Sequence, residues 1–248
     1  MRYFLLFAFT SLVFLSCRKE DDKRTPTPLE TNYNVSPNNF LSAAAYSKLL
    51  VEVQYVTGFQ PNQTALTRLQ AFLEKHLNKP GGISLVQKEI ASPGKTKYTL
   101  DDIVNIEKAS RTQNTSGQLL TAYIVFVDGE YSGNEGNAKV LGVAYYPSSM
   151  VIFAKSIDDF SGGLGQPATL SLQTVVLTHE FGHVMGLVNN GTQMTVPHQD
   201  IPNGRHCNNE NCLMYYEAET SRIIGRMGTV IPGLDSACAA DVRANGGK

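Results

Sequence analysis

The sequence lacks tryptophan and has only four cysteines and five histidines among its 248 residues. So few cysteines exclude a small disulfide-rich scaffold, and a chain of this length can bury a full hydrophobic core. Charged residues make up 17% of the chain, the formal net charge is −1, and no basic stripe is present. A nucleic-acid partner is therefore not expected. There is no internal repeat, and the one long hydrophobic run lies at the N-terminus.

That hydrophobic run predicts an export signal. Arg2 gives a positive start, and residues 3–16 are apolar almost throughout. A run of this length is short for a membrane span and typical of a signal peptide. Its end, LSC, resembles the lipobox of bacterial lipoproteins, and the following residues 19–21 resemble an outer-face sorting signal. The resemblance implies a signal peptide at 1–16, a lipid on Cys17, and an extracytoplasmic chain anchored to the outer membrane and exposed at the surface.

The rest of the chain predicts a tether and one domain. Residues 17–39 are charged and then rich in proline and threonine, which predicts a solvated tether. Residues 40–248 are expected to form a single domain, with an upper subdomain at 40–186 and a lower subdomain at 187–248. We expect this domain to be a monomer.

Hydrophobic periodicity in the upper subdomain predicts alternating strands and helices. Strands are predicted at 48–56, 83–90, 119–127, 140–146 and 150–155, and helices at 64–78 and after Thr99. This order, β-α-β-α-β-β-β, predicts an α/β fold with a mixed twisted sheet and backing helices. The lower subdomain is rich in asparagine, glycine and proline, and predicts irregular structure that ends in a short helix capped by Asp235.

The segment that carries chemistry is THEFGHVMGLVNNG, residues 178–191. It lies in an apolar stretch, 168–187, whose only charged residue is Glu180. A helix here is expected to be buried, and a lone buried carboxylate is costly unless it is paired or used. His179 and His183, four residues apart, share one helix face and can bind one zinc ion. Glu180 is then placed to act as general base on an attacking water.

The motif resembles that of metzincin zinc proteases, H-E-x-x-H-x-x-G-x-x-H. Gly186 matches, but Asn189 stands where the third histidine belongs. The later HCNNENCLMYY, residues 206–216, resembles the archaemetzincin continuation, in which His-Cys is followed by four residues, Cys, one residue and Met.

This resemblance implies a seventeen-residue insertion at 189–205, with His206 as the third zinc ligand. It also implies a zincin fold of α+β type, an active-site helix, and Met214 in a Met-turn beneath the metal. Tyr216 matches a tyrosine that stabilises the transition-state oxyanion in some metzincins. The strand before the active-site helix is where such proteases have an antiparallel edge strand, which can pair with an extended peptide.

Other residues compete for the third position. His198 is the main alternative, and Asp200 follows because aspartate can also bind zinc. Gluzincins use a distal glutamate, and the candidates in this sequence are Glu210, Glu217 and Glu219.

The cysteines leave two possibilities open. In the resembled family, two cysteines and a later Cys-x-x-Cys hold a structural zinc, whereas here only Cys238 follows Cys207 and Cys212. A disulfide between Cys207 and Cys212 is therefore predicted for an oxidising compartment, with a bridge from either of them to Cys238 as the alternative.

The sequence thus predicts a zinc metalloendopeptidase that hydrolyses protein or peptide substrates and reaches the membrane through its lipid anchor. Two alternatives stay open. A catalytically silent lipoprotein could use the same fold for binding, and a zinc hydrolase could act on glycoproteins.

Overall fold

The apolar segment at residues 119–127 forms the centre of the fold. The structure, a computed structural model, describes residues 32–225 and 231–248. The predicted signal peptide and Cys17 lie outside the described residues. The elements in chain order are α1 Pro37–Leu41, β1 Lys48–Val56, α2 Gln63–His76, β2 Ile83–Ile90, β3 Lys97–Tyr98, α3 Leu100–Ser110, β4 Leu119–Val127, β5 Glu130–Tyr131, β6 Gly142–Tyr146, β7 Ser149–Phe153, α4 Ala154–Asp159, α5 Thr169–Val184 and α6 Ser236–Ala244.

The main sheet has five strands in the order β2-β1-β4-β7-β6. β1 pairs in parallel with both β2 and β4, β4 pairs in parallel with β7, and β6 runs antiparallel to β7 at the edge. The chain therefore has the predicted α/β fold, with a mixed and mostly parallel sheet. The predicted antiparallel edge strand before the active-site helix is present as β6.

Hydrophobic residues of β4 point alternately to two cores. Ile124 and Phe126 join a large core that also contains residues of α2 and α5, such as Leu69 and Val176. The opposite face of β4 joins a smaller core through Tyr123, Val125 and Val127. This core also contains Tyr98 of β3 and Ile103 of α3. A strand buried on both faces needs apolar residues at nearly every position, which explains the composition of β4.

Helix α5 is buried almost all round, as its composition predicts. Thr174 and Thr178 satisfy their hydroxyls by donating to the carbonyl oxygens four residues earlier, at 2.7 and 2.8 Å. The helix ends at Val184, and Gly186 follows with φ of 72°. A Cβ there would lie 2.5 Å from Pro37 Cβ, so this turn requires glycine for both its backbone conformation and its packing.

Two predicted boundaries differ from the structure. Residues 32–39, which were assigned to the tether, pack on the domain. The Asn32 side chain accepts a hydrogen bond from Thr115 N at 2.8 Å, and Val35 is buried. The predicted strand at 150–155 ends at Phe153, where α4 begins.

The lower half contains short 3-10 helices and the terminal helix α6, which Asp235 caps through Cys238 N as predicted. Among the described residues, no helix is long and apolar enough to cross a membrane.

Candidate metal centre

Helix α5 places His179 and His183 side by side at its C-terminal end. Their Nε2 atoms lie 3.1 Å apart, and their rings are nearly perpendicular at a centroid distance of 4.8 Å. This is the arrangement expected from a four-residue spacing on one helix face.

His206 joins these two imidazoles from the lower half. Its Nε2 lies 3.3 Å from His183 Nε2, and its ring stacks on that of His179 at 5.3 Å. The structure therefore brings together the three histidines of the predicted ligand set, although residues 189–205 separate the third from the other two in sequence.

The tautomers of these histidines point to a cation. His179 Nδ1 lies 2.7 Å from the carbonyl oxygen of Leu213, and His206 Nδ1 lies 2.7 Å from that of Asn203. A carbonyl only accepts hydrogen bonds, so each Nδ1 carries the proton and each Nε2 presents a lone pair. A proton on His183 Nε2 can satisfy only one of its two neighbours. A metal ion satisfies all three nitrogens, so the donor set fits zinc.

Electrostatics favour the neutral, metal-binding form of the two helical histidines. Burial lowers the pKa of His179 to about 4 and lowers the pKa of His183 well below its ordinary value. For His206 burial has the same effect, but the hydrogen bond and charge of Glu219 outweigh it and raise the pKa.

Glu180 lies between α5 and the edge strand. Its Oε2 accepts a hydrogen bond from Ala144 N of β6 at 2.8 Å, whereas Oε1 is buried and has no hydrogen-bond partner among the described residues. Burial, and next the charge of Glu219, raise the pKa of Glu180 well above its ordinary value. An unpaired buried carboxylate oxygen at a pocket wall is typical of a functional group.

Gly142 permits this close approach of β6 to α5. A Cβ at this position would lie 2.7 Å from Glu180 Cγ and 2.8 Å from Val176 Cγ1. Any larger residue would therefore displace the carboxylate or the strand. Sequence reasoning missed this residue, and the available signal was a glycine within a predicted strand.

Met214 packs against α5 at Gly182, and its place in a Met-turn beneath the metal stays a prediction. It is fully buried, and a Cβ on Gly182 would lie 2.3 Å from its Sδ. The predicted oxyanion role of Tyr216 stays a prediction. Its hydroxyl donates to Glu217 at 3.3 Å, and Tyr216 does not line the cleft beside the histidines.

Among the other predicted candidates, His198 lies outside the three-histidine cluster. Its Nε2 lies 2.7 Å from Asp241, and its Nδ1 faces Cys207 Sγ at 3.5 Å. Asp200 accepts a hydrogen bond from the Asn203 side chain at 2.7 Å, and Asn189 donates to Gln199 at 3.0 Å.

Glu219 does reach the cluster. Its Oε2 lies 3.5 Å from His206 Nε2 and 3.9 Å from His183 Nε2. It thus joins the three histidines in a group of four residues whose potential ligand atoms all lie within 4.8 Å of one another.

A second cluster of potential ligands lies behind the first. Cys207, Cys212, Cys238 and Asp235 bring their ligand atoms within 4.8 Å of one another. The structure does not have the predicted disulfide between Cys207 and Cys212. All three cysteines of the cluster are free and buried. Cys212 Sγ instead lies 3.6 Å from Cys238 Sγ. His198 Nδ1 completes the surroundings of the thiols and lies 3.9 Å from Cys238 Sγ.

The fold is similar to that of a solved archaemetzincin, although no protein-family model and no curated protein matches the sequence. The crystal structure of archaemetzincin from Methanopyrus kandleri superposes with a TM-score of 0.55 at 16% identity, over 80% of this chain and 96% of that one. At this identity the likeness shows the fold.

Two further structures were found. A zinc-dependent peptidase from Methanocorpusculum labreanum gives a TM-score of 0.47 at 14% identity, over 77% of this chain and 99% of that one. Metalloproteinase-II from Bacteroides fragilis gives 0.45 at 15% identity, over 83% of this chain and 54% of that one.

Proposed function

We propose that this protein is a zinc-dependent metalloendopeptidase in which His179, His183 and His206 hold the metal. The observation that carries the proposal is the convergence of the three Nε2 atoms, at 3.1 and 3.3 Å, beside the unpaired Oε1 of Glu180. Metal ligands alone would be consistent with a structural site. A buried carboxylate with a free oxygen supplies the base that hydrolysis also needs.

In the proposed mechanism, the three histidines would hold a zinc ion, whose chemistry when bound would be to activate a water and polarise the scissile carbonyl. The hydrogen bond from Ala144 N fixes Oε2 of Glu180, so Oε1 is the atom that takes the proton of the water. Glu180 then delivers that proton to the leaving amine. Its high pKa makes the protonated form stable enough to act as the acid in this second step.

The substrate in this proposal is an extended peptide bound along β6, the edge strand of the sheet. Backbone groups of an edge strand can pair with an added strand regardless of its sequence. For Tyr216 to stabilise the oxyanion, its hydroxyl has to leave Glu217, so that role stays a prediction.

We also propose a structural zinc at the second cluster, in place of the disulfide that the sequence predicts. Three thiols are available, and His198 Nδ1 is the donor we propose in place of the missing fourth thiolate. Asp241 accepts the opposite ring N–H of His198, a pairing that commonly orients zinc-binding imidazoles. Attachment to the outer membrane through Cys17 completes the proposal.

Cleavage of a broad peptide library tests the proposed activity. The full chain is expected to cut the library, to stop after zinc is removed with a chelator, and to recover when zinc is returned. If zinc is bound but no peptide is cut, the non-catalytic binding lipoprotein is the better reading. Cleavage of a glycoprotein that is lost when the glycans are removed would instead favour the glycoprotein hydrolase.

A further inference from the structure

A short stretch of the lower half pairs with the chain just before the edge strand β6. We call residues 219–221 the closing segment. Glu219 O accepts a hydrogen bond from Leu141 N at 2.8 Å, and Ser221 N donates to Lys139 O at 2.8 Å. The pairing is antiparallel. The closing segment therefore takes the kind of position that an extended peptide takes when it adds to a sheet edge.

This pairing fixes the backbone of Glu219 and delivers its side chain into the three-histidine centre. Oε2 lies 3.5 Å from His206 Nε2 and 3.9 Å from His183 Nε2. A tetrahedral zinc ion with ligands at about 2.0–2.1 Å separates neighbouring ligand atoms by roughly 3.3 Å. The carboxylate oxygen thus lies close to the distance expected for a fourth ligand.

The charges in the centre also favour Glu219 as a metal ligand. His206 Nδ1 holds its proton toward Asn203 O, so a neutral His206 turns an Nε2 lone pair toward the carboxylate of Glu219. A lone pair and a carboxylate repel each other unless a proton or a metal ion lies between them. Zinc shared by both groups removes that repulsion, and the side chain of Glu219 is only 30% exposed.

The two carboxylates of the centre, those of Glu180 and Glu219, are held by different contacts. Glu180 Oε2 is bound to the edge strand at Ala144 N, and its Oε1 is unpaired. Glu219 faces the imidazole nitrogens directly. The geometry therefore separates a base, Glu180, from a potential ligand, Glu219.

We propose that Glu219 is a fourth protein ligand of the metal and that the closing segment holds the centre shut until it moves away from the sheet edge. The proposal rests on the function proposed above. Catalytic zinc sites keep one position open, whereas four protein ligands are typical of closed sites. The chain as described is then a resting form, and the scissile carbonyl of a bound peptide competes with the carboxylate of Glu219 for the metal.

The test uses the full chain and measures metal binding without relying on activity. Zinc affinity is measured by chelator competition, and acetohydroxamate binding is measured from the visible spectrum of the cobalt-substituted protein. Glu219→Gln is expected to weaken zinc binding at least about tenfold and to tighten acetohydroxamate binding at least about tenfold. The matched control is Glu135→Gln, at an exposed loop residue. It should change neither the zinc affinity nor the acetohydroxamate affinity.

A second variant separates the ligand from the segment. Ser221→Pro removes the N–H that pairs with Lys139 O and the hydroxyl that accepts from Lys139 N, but it keeps the carboxylate of Glu219. It is expected to tighten acetohydroxamate binding while changing zinc affinity less than Glu219→Gln does. If Glu219→Gln leaves both affinities unchanged, or lowers peptide cleavage more than tenfold without changing them, the proposal is wrong. If neither the parent chain nor the variants bind zinc at the three histidines, the proposed function itself fails.

Discussion

The backbone N–H of Ala144 donates to Oε2 of Glu180 at 2.8 Å and leaves Oε1 without a partner. The edge strand thereby orients the carboxylate from the side on which a peptide is expected to bind. This contact links the two parts of the proposed machinery, the base on α5 and the strand that receives the substrate.

Replacement of Glu180 tests the base directly. Glu180→Gln keeps an oxygen for the Ala144 N–H but cannot take a proton, so peptide cleavage is expected to fall by about 10²–10⁴-fold. Zinc content should stay that of the parent chain, because Glu180 is not among the ligands. The exposed Glu74→Gln on α2 provides the control. Undiminished cleavage by Glu180→Gln would rule out the base assignment.

Substitution of two histidines separates the two clusters. The parent chain is expected to bind about two zinc ions, one per cluster. His206→Ala should lose the ion of the three-histidine centre together with peptide cleavage, and retain the ion at the thiols. His198→Ala should show the converse for zinc and unfold at a lower temperature. Metal analysis and thermal unfolding of both variants measure these outcomes. The ligand set is contradicted if His198→Ala, and not His206→Ala, loses peptide cleavage together with the zinc ion of the three-histidine centre.

Gly142 gives a test of how closely β6 must approach α5. In Gly142→Ala the new Cβ would lie 2.9 Å from Glu180 Oε1, which forces the carboxylate or the strand to shift. Misplacement of a catalytic group by about 1 Å can reduce the rate about 10²-fold, and we expect a loss of that order in kcat/KM. Gly233→Ala, where a Cβ meets nothing within 4 Å, should cleave normally. Equal values of kcat/KM for the two variants would show that β6 can shift without loss of activity.

The buried ion pair behind β6 is expected to support the fold rather than the chemistry. Arg111 Nη1 contacts Glu107 Oε1 at 2.6 Å with both side chains almost fully buried, and Tyr145 donates to the other oxygen of Glu107. Arg111→Met leaves that carboxylate without its charged partner and should cost about 3–5 kcal/mol in the free energy of unfolding. Lys155→Met breaks an exposed pair with Asp159 and should change little. Denaturant titration of both variants measures the difference.

The sequence predicted the upper half well because its elements are long and strongly patterned. The strands Lys48–Val56, Ile83–Ile90 and Leu119–Val127 have the predicted bounds. Their apolar residues alternate or run continuously, and this pattern depends on burial within the strand itself. The helix predicted at 64–78 ends earlier, at His76, where Leu77 takes extended backbone angles.

The lower half was predictable only where a motif marked it. His206 stood out because Cys207, Cys212 and Met214 follow it at matching spacing. Glu219 had no such flank, since its position depends on backbone pairing between distant irregular segments. The sequence predicts His198 as the alternative third ligand, whereas the structure places it beside Cys207 and Cys238. The sequence shows that a loop contains a histidine and therefore two possible donor atoms. It does not show which partners lie beside that histidine in the folded loop.

The contact between His198 and Asp241 has a consequence for when the centre can exist. Asp241 lies on α6, which follows the three histidines of the metal centre in the chain, and it also accepts hydrogen bonds from Thr195 in the loop that carries His206. A chain still being synthesised has His179 and His183 but lacks Asp241, which holds part of that loop. The proposed peptidase would therefore be completed only after α6 docks, and an unfinished chain is expected to cut its neighbours less readily than the finished one.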